Sequence, residues 1–466
     1  MRILKFGGTS VGDPDNIRKV IHVVRSRAGC QPILVFSAMG DTTDRLLHIG
    51  TRAADGNLDE SLGALACLKD FHRTVVDQLL QGEAESAWAH CEAVFAEAEA
   101  VARGLAVLWD FSPAVQDRLL GFGEVLSTRI LTAIFLREGL PVTWTDARDV
   151  VVTDGRHTQA EPVFEEIRKR GSEVLLPLVR GGRIPVTQGF LGRSTSGSTT
   201  TLGRGGSDFT ASLLGAALGA EEIEIWTDVD GIMTADPSLV PGARNIPAMS
   251  FQEAAELAFF GARVLHPKTL APAVERGIPV RVLNTSRPSG RGTLILAESR
   301  ANSHPVKSIA YKEGMTVVNL VSARMFRAQG FLRRVFEVLE RYRIAPDLVA
   351  TSEVSVALAV SPAAGLSAAV EELRSLGSVT VRTSQALVAV VGERLKETPG
   401  MVGQVFEDLR DVGITMVSQG GSEIALSFAI GEPDLERVVG RLHGRFFERG
   451  GVVPAAGAKE EHRHGQ

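Results

Sequence analysis

The sequence predicts an α/β protein, in which a three-layer αβα domain with a largely parallel central sheet is followed by two smaller α/β units. Three observations lead to this prediction. Apolar strands alternate with helical segments up to about residue 300. A polar, turn-rich stretch, AESRANSHPVK, then breaks the pattern. Beyond it the sequence repeats itself once, which indicates two copies of one small unit.

Composition sets the broad class of the protein. The chain has 466 residues, of which 44% are hydrophobic and 23% are charged, enough for two to four domains with full cores. The formal net charge is −5, so no broad positive field for nucleic acid is expected.

Cysteine usage and hydropathy bear on the compartment. Cys30, Cys67 and Cys91 are odd in number and far apart, and no CxxC motif occurs, so neither a disulfide framework nor a zinc site is indicated. The first residues lack the apolar core of a signal peptide. No uninterrupted apolar run approaches the roughly 18 residues that span a membrane. We therefore expect a cytoplasmic protein without a membrane partner.

The first element is read from the opening stretch MRILKFGGTSVGDPDN. Arg2 to Phe6 form a short apolar strand, and Gly7 and Gly8 form a turn. Asp13 and Pro14 then provide a helix N-cap and a proline at the first helical position. A strand, a glycine turn and a helix in this order favour an anion above the turn.

The later strands end in small or hydroxyl-bearing residues. Their sequences are PILVFSAMG, RIPVTQGFLG, EEIEIWTDVDG and IPVRVLNTS. In a parallel sheet, ligands lie beyond the carboxyl ends of the strands. The residues expected at those ends are Gly7, Ser37, Gly189 and Thr227.

Four polar clusters in the first 300 residues carry candidate chemistry. They are Lys5 with Gly7, Gly8, Thr9 and Ser10; SAMGDTTD from Ser37 to Asp44; GFGEVLS with Glu124; and TTTLGRGGSDFTASLLGAAL with Arg204, Ser207 and Asp208. In the last cluster, glycines let the backbone approach a ligand, and an arginine can clamp a carboxylate or phosphate. Ser207 or Asp208 is expected to cap the amphipathic helix that follows. No GxxxxGK[ST] or strand-linked GxGxxG motif occurs, so the usual nucleotide folds are not indicated.

The C-terminal third contains the repeat. Gly330-Phe331 aligns with Gly400-Met401 at an offset of 400 − 330 = 70, and the same offset aligns Ser352-Glu353-Val354 with Ser422-Glu423-Ile424. Each copy reads strand, helix, strand, strand, helix, which is typical of a ferredoxin-like unit. The predicted domains are residues 1–300, 306–384 and 385–450, with a polar tail, 451–466, that is expected to be disordered.

Four segments together resemble the signature segments of the aspartate kinases in the amino acid kinase family. They are KFGGTSV, TTTLGRGGSD, WTDVDGIMTADP and GARVLHP, and their order and spacing agree with that family. The repeat resembles the family's tandem ACT domains, and GFLRRVFEVLERYRIAPDLVATSEVSVAL resembles the lysine-sensitive branch. The resemblance covers essentially residues 1 to 450.

The resemblance implies transfer of the γ-phosphoryl group of ATP to the side-chain carboxylate of L-aspartate, giving 4-phospho-L-aspartate. Mg²⁺ is expected to bind through the nucleotide phosphates rather than in a protein metal site. The implied catalytic residues are Lys5 and Asp208. The implied substrate-binding residues are Ser37, Thr43, Glu124, Arg204 and Ser207. The implied ATP-binding residues are Lys5, Gly7, Gly8, Thr9, Ser10, Thr227, Asp228, Met233, Ser238, Arg263 and Val264.

Three of these residues depart from the family's usual pattern. Met233 stands where a tyrosine is common, Ser238 stands where an arginine is common, and Arg263 replaces a common lysine. The serine removes a cation, so weaker binding of ATP is expected than in relatives with the arginine.

The repeat is expected to bind an effector, L-lysine, in its first copy. The candidate residues are Gly330, Phe331 and Asp347, and the resemblance to the lysine-sensitive branch implies Met325 and Ser352 as well. Asp347 is expected beside the turn at Gly330 and aligns with Val417 in the second copy, since 417 − 347 = 70. A carboxylate there can hold a ligand ammonium, whereas a valine cannot. ACT units of this family commonly join two chains, so at least a homodimer is expected.

Two other functions remain open from the sequence. The first is a different kinase of the same superfamily, acting on glutamate, acetylglutamate or carbamate. The second is a catalytically degraded amino-acid sensor, which Ser238 favours and which intact Lys5, Glu124, Arg204 and Asp208 oppose.

Overall fold

The computed structural model describes residues 1–261, 267–298, 305–393, 395 and 397–448. Within them the chain separates into two compact units. Residues 1–232 and 245–298 form the first unit, and residues 233–244 and 305–448 belong to the second. The tail predicted to be disordered, 451–466, lies outside the described residues.

The first unit alternates strands and helices, as its sequence pattern predicts. Its strands are β1 (Arg2–Phe6), β2 (Pro32–Phe36), β3 (Val142–Trp144), β4 (Val152–Thr153), β5 (Ile184–Gln188), β6 (Leu191–Ser194), β7 (Thr199–Thr201), β8 (Glu222–Thr227), β9 (Ala248–Ser250), β10 (Val280–Asn284) and β11 (Thr293–Leu296). Its helices are α1 (Pro14–Arg27), α2 (Thr42–Ala54), α3 (Leu58–Leu80), α4 (Ala84–Leu108), α5 (Pro113–Arg137), α6 (Phe164–Arg180), α7 (Gly206–Leu218), α8 (Phe251–Phe259) and α9 (Pro267–Glu275).

The central sheet of the first unit has the strand order β3-β5-β2-β1-β8-β10-β11-β9 in the described part of the chain. Every neighbouring pair is parallel except β10 and β11. Strands β1, β2, β5, β8 and β10 therefore end at one edge of the sheet. This confirms the predicted three-layer class with a largely parallel sheet. A second sheet is formed by β4, β6 and β7.

Helices cover both faces of this sheet because side chains alternate along each strand. Leu4 and Phe6 of β1 pack in a cluster with α1 to α5, whose largest buried members include Phe36 and Trp226. On the other face, Gly215 of α7 lies so close to Ile223 that a Cβ there would come within 2.6 Å of the isoleucine. The strand at the centre is consequently buried on both sides.

The first turn forms as predicted. The side chain of Asp13 accepts a hydrogen bond from Asn16 N at 2.8 Å, and Pro14 is the first residue of α1. The helix after GRGGSD differs from its prediction. The N-cap of α7 is Gly205, with no side-chain cap, so neither Ser207 nor Asp208 caps it. Most of α7 is buried rather than amphipathic, because it is packed between the sheet and its neighbouring helices.

Helix α5 is the one described helix that is long and apolar enough to cross a membrane by composition alone. Most of its apolar stretch is buried inside the protein, where it packs against α2, α4 and the sheet. It also carries the buried carboxylates Asp117 and Glu124. These features identify α5 as a core helix of the first unit.

The second unit contains the sequence repeat. Its strands are β12 (Ser308–Val321), β13 (Pro346–Thr351), β14 (Ser355–Val360), β15 (Ser378–Val391), β16 (Ile414–Ser418) and β17 (Ala425–Gly431). Its helices are α10 (Phe331–Arg341), α11 (Leu366–Leu373), α12 (Met401–Glu407) and α13 (Leu435–His443). The described strands form one antiparallel sheet in the order β13-β14-β12-β15-β17-β16. Gly330 and Gly400 precede α10 and α12 with the same φ of 78°.

The two long strands β12 and β15 each run through both copies of the repeat. This arrangement differs from the predicted boundary between the copies at residue 384. Residues Ser308–Lys312 of β12 pair with the half of β15 that belongs to the second copy, and Val317–Val321 pair with the half that belongs to the first. The first copy therefore lies within the chain of the second. The predicted kinase domain 1–300 is also interrupted, because Ala235 and Val240 pack in the hydrophobic cluster of the second copy.

Candidate active site

A buried ion pair marks the carboxyl end of β1. Lys5 Nζ lies 2.7 Å from Asp208 Oδ1, and both side chains are largely buried. Lys5 is the second-to-last residue of β1, and Asp208 lies in the first turn of α7. Two residues far apart in sequence thus meet above the sheet edge, where a helix N-terminus also favours negative charge.

Glu124 of α5 is a buried carboxyl with an unused oxygen. The N–H of Ala38 donates to Oε1 at 3.3 Å, and Oε2 has no hydrogen-bond partner among the described residues. Burial raises the pKa of this carboxyl to about 8. A cationic group arriving beside it would favour the ionised form and supply the missing partner. The contact with Ala38 brings Glu124 to the end of β2, next to Ser37.

The GRGGSD loop reaches the same edge. Gly189 N–H donates to Phe36 O at 2.8 Å at the end of β2. A Cβ at Gly189 would lie 2.5 Å from the Ser207 side chain, so only glycine permits this close approach between β5 and α7. Arg204 is exposed, and the structure shows no hydrogen bond or ion pair for it among the described residues. We call Lys5, Glu124, Arg204 and Asp208 the strand-end site.

The two glycines of the first turn have different surroundings. Gly7 N–H donates to Trp226 O at 3.2 Å, so in this structure the neighbouring strand β8 accepts the hydrogen bond from this donor. Gly8 packs against the second cluster, because a Cβ there would lie 2.8 Å from Gly40 O. Gly40 N–H also donates to Gly8 O at 3.1 Å. The first and second polar clusters are thereby held together.

Thr9 and Ser10, the two hydroxyl-bearing residues of the first cluster, also have different surroundings. Thr9 is exposed in the turn before α1. Ser10 is buried, and its hydroxyl pairs with Thr285 Oγ1 at 2.8 Å and with Trp226 O at 3.3 Å. In this structure the hydroxyl of Ser10 therefore links the turn after β1 to the ends of β8 and β10.

Thr227 and Asp228 lie at the end of β8 and share a hydrogen bond of 3.1 Å between their side chains. The residues that support them were not predicted from the sequence. Asn284 Nδ2 donates to Asp228 O at 3.2 Å and to Asp230 Oδ1 at 2.7 Å, and Thr285 N–H donates to Thr227 O at 2.9 Å. The polar end of IPVRVLNTS, a strand already recognised, is the signal that could have found them.

The remaining predicted substrate residues flank the strand-end site. Ser37 directly follows β2, is half-buried, and donates its N–H to Phe6 O at 3.1 Å. Thr43 is half-buried in the first turn of α2. Ser207 is almost fully buried beside Gly189.

The roles of Met233, Ser238, Arg263 and Val264 in binding ATP remain predictions. Met233 and Ser238 belong to the second unit. Met233 O accepts a hydrogen bond from Ser308 Oγ at 2.8 Å, and Ser238 donates its N–H and hydroxyl to Asp236 Oδ1. Arg263 and Val264 lie outside the described residues.

The predicted effector residues of the first copy divide between its two ends. Asp347 lies at the start of β13, where it accepts hydrogen bonds from Ser361 N–H at 3.0 Å and Lys312 Nζ at 2.5 Å. Ser352 lies just past the other end of β13, roughly 16 Å away at about 3.3 Å per residue.

Met325 lies at the Ser352 end, because Met325 N–H donates to Ser322 O and Ser322 N–H donates to Val354 O. Gly330 and the buried Phe331 begin α10, which runs back towards the other end. Asp347 is therefore not beside the turn at Gly330 in one chain, contrary to the prediction. The helix and the strand lie between them.

The strand-end site contains the ion pair of Lys5 with Asp208, together with one further acidic group, Glu124, and one further basic group, Arg204. A ligand with an ammonium and a carboxylate would match the Glu124 carboxyl and the Arg204 guanidinium. A phosphoryl group in transfer would match Lys5 Nζ. Within the described residues, no group of three or more His, Cys, Asp and Glu side chains could hold a metal ion.

Comparison with known proteins finds relatives along nearly the whole chain. A model of the amino acid kinase family matches residues 1–284, and an ACT domain model matches residues 388–446. The chain is 37% identical to lysine-sensitive aspartokinase 3 of Escherichia coli, over 96% of this chain and 99% of that protein. It is 34% identical to chloroplastic aspartokinase 2 of Arabidopsis thaliana, over 96% of this chain and 84% of that protein.

Solved structures show the same relationship. E. coli aspartokinase III in complex with lysine and aspartate superposes with a TM-score of 0.84 at 35% identity, covering 96% of this chain and all of that one. The same enzyme with aspartate and ADP gives a TM-score of 0.81 at 36% identity. A family model over more than half of the chain and relatives that align along nearly its whole length show that this chain belongs to the aspartokinases of the amino acid kinase family.

Proposed function

We propose that the protein transfers the γ-phosphoryl group of ATP to the side-chain carboxylate of L-aspartate, forming 4-phospho-L-aspartate. The acceptor is already an anion, so the reaction needs no strong base. Catalysis rests on positioning and on neutralisation of charge. Lys5 neutralises the transferring phosphoryl group, and Asp208 orients Lys5 and the substrate ammonium.

The observation that carries this proposal is the buried Oε2 of Glu124, which has no hydrogen-bond partner among the described residues. Glu124 accepts from the ammonium of the substrate, and Arg204 with Ser207 grips its α-carboxylate. Ser37 and Thr43 complete the pocket. Acetylglutamate and carbamate carry no free ammonium, so a buried acidic group favours aspartate or glutamate over them.

ATP occupies the neighbouring strand ends. Gly8 and Thr9 lie below its phosphates, and Thr227 and Asp228 contact the nucleoside. Mg²⁺ binds through the phosphates and water, which agrees with the metal's preference for sites that keep several waters. The E. coli relative whose structure contains aspartate and ADP supports both substrates.

The test is acyl phosphate formation trapped as a hydroxamate, with purified protein, Mg-ATP and hydroxylamine. We expect product with L-aspartate and little with L-glutamate, N-acetylglutamate or carbamate. Preferred turnover of glutamate would identify the alternative kinase. Absence of product with every acceptor, from protein that unfolds cooperatively, would support the degraded sensor.

For regulation, we propose that L-lysine inhibits by binding the first copy of the repeat and that the protein works as a homodimer. The relative solved with lysine and aspartate supports the effector. The separation of Asp347 from Gly330 and Ser352 supports the dimer, because a ligand as small as lysine can touch both ends only if they come from two chains. The exposed apolar side chains Val354 and Phe336 of the first copy are candidates for that contact.

A further inference from the structure

Asp117 is a buried carboxylate to which the proposed reaction gives no role. It lies in the second turn of α5 and has no exposed surface. Three donors converge on it: Thr201 Oγ1 at 2.6 Å, Thr158 N–H at 3.0 Å and His157 Nδ1 at 2.7 Å. A buried carboxylate is costly unless its oxygens are paired in this way, so the arrangement holds its donors firmly.

The donors belong to the two segments that support the Arg204 loop. Thr201 is the last residue of β7, three positions before Arg204. Thr158 lies in the loop between β4 and α6, and Ala160 N–H in that loop donates to Thr201 O at 2.9 Å. A Cβ at Gly203 would lie 3.1 Å from Thr158 O. The loop that contains Thr158 therefore packs directly against the turn at Gly203, which precedes Arg204.

Thr158 holds a backbone conformation that a β-branched residue avoids. Its φ is 68°, in the left-handed region. Both carboxylate oxygens of Asp117 lie 3.0 Å from its N–H. The hydrogen bonding of Thr158 N–H to the buried Asp117 carboxylate therefore stabilises this strained conformation and holds the loop in place.

Arg204 depends on this support of its backbone, because its side chain makes no hydrogen bond or ion pair with any described residue. Its flanking residues, Gly203 and Gly205, have φ values of 78° and 71° and are conformationally permissive. A guanidinium that clamps a carboxylate must be aimed accurately, because a displacement of about 1 Å can cost about 100-fold in rate.

We propose that Asp117 is a positioning residue for recognition of the α-carboxylate of the substrate. It fixes Thr201 and the loop of Thr158, which together set the direction of Arg204. This inference rests on the proposed role of Arg204 in substrate binding.

The test compares steady-state kinetics of Asp117→Ala, Thr201→Val and Arg204→Ala with wild type. Thr201→Val removes one hydroxyl and keeps the side-chain shape, so it remains informative if Asp117→Ala fails to fold. We expect Asp117→Ala to raise the KM for aspartate about tenfold and Thr201→Val several fold, with the KM for ATP within about twofold. Asp154→Asn is the matched control. Asp154 Oδ1 accepts from Arg156 N–H and Glu161 N–H in the loop of Thr158, and an asparagine keeps an oxygen for both, so neither KM is expected to change.

A second readout separates positioning from general loss of structure. The α-carboxamide analogue of aspartate lacks the carboxylate that Arg204 would grip. Asp117→Ala should lower the preference for aspartate over this analogue, and it should have little further effect when Arg204→Ala is already present. A merely structural role would lower turnover of both substrates equally.

The outcomes distinguish the two assignments. If Arg204→Ala raises the aspartate KM but folded Asp117→Ala and Thr201→Val stay within about twofold of wild type, the role of Asp117 is overturned and that of Arg204 survives. If Arg204→Ala leaves the aspartate KM unchanged, the proposed substrate contact itself fails. Equal increases in both KM values for Asp117→Ala would also contradict positioning.

Discussion

The strand-end site and the first copy of the repeat both bury an acidic side chain, but they partner it differently. In the strand-end site, Glu124 keeps one oxygen without a partner among the described residues. In the first copy, Asp347 is already satisfied, with Lys312 Nζ on one oxygen and Ser361 on the other. One carboxyl lacks a cation, and the other has one supplied by its own chain.

This difference teaches how each site should respond to a ligand. A substrate ammonium at Glu124 adds an interaction that is missing from the free protein. An effector ammonium at Asp347 must instead replace Lys312, so its net gain is smaller. Both sites therefore pair a carboxylate with a ligand ammonium. The expected gain in binding free energy is larger at Glu124 than at Asp347.

The largest expected effect is at the paired cation of the strand-end site. Lys5→Ala should lower kcat by about two to four orders of magnitude, since loss of a transition-state charge costs on the order of 3–5 kcal/mol. Initial rates at saturating aspartate and ATP measure it. Lys69→Ala is the control, because this half-buried lysine of α3 pairs with the surface residue Glu92 of α4. Near-wild-type turnover of Lys5→Ala would remove Lys5 from the reaction.

The unpaired carboxyl should make aspartate recognition depend on pH. Burial raises the pKa of Glu124 to about 8, so the group is neutral below that pH in the free protein and charged above it. Only the charged form holds an ammonium well, so kcat/KM for aspartate should rise by up to about tenfold per pH unit towards pH 8 and then level off.

Glu124→Gln provides the check on this pH dependence. The amide cannot ionise, so the rise towards pH 8 should disappear from the kcat/KM profile for aspartate. The KM for ATP is the internal control, because its pH dependence should be the same in both proteins. A profile that survives in Glu124→Gln would assign the ionisation to another group.

Removing the carboxyl of Asp347, which Lys312 and Ser361 already pair, tests the proposed effector site. Asp347→Ala should raise the lysine concentration for half-inhibition about tenfold or more, and tenfold corresponds to about 1.4 kcal/mol of differential affinity. Val417→Ala, at the equivalent position of the second copy, is the matched control and should leave inhibition unchanged. If wild type ignores millimolar lysine and responds to threonine or methionine, the effector differs although the kinase assignment stands.

The smallest expected effect tests whether the effector ammonium replaces Lys312 at the Asp347 carboxylate or binds beside it. Lys312→Met removes the internal cation, so an effector ammonium meets a carboxylate that is no longer occupied. Half-inhibition should then require several fold less lysine, consistent with the roughly 1 kcal/mol or less of a partly exposed ion pair. Arg333→Met, which breaks an exposed pair on α10, serves as the control. Unchanged or weaker inhibition would show that Lys312 does not compete.

The sequence by itself determined the features that arise within a few residues. Asp13 and Pro14 start α1 as predicted, because a cap needs only a side chain and the N–H groups of the next turn. Gly330 and Gly400 adopt the same left-handed conformation, because an N-cap of this type depends on the residue itself. The repeat offset and the alternation of strands and helices were sufficient for the fold class.

Only the tertiary structure decided which groups the distant segments leave available. Gly7 N–H is taken by Trp226, and the Ser10 hydroxyl by Thr285, across more than two hundred residues. The pairing of Asp117 with Thr201 and the assignment of residues 233–244 to the second unit are equally non-local. The physical reason is that a buried polar group takes whichever partner folding brings to it, and no pattern within a short stretch of sequence specifies that partner.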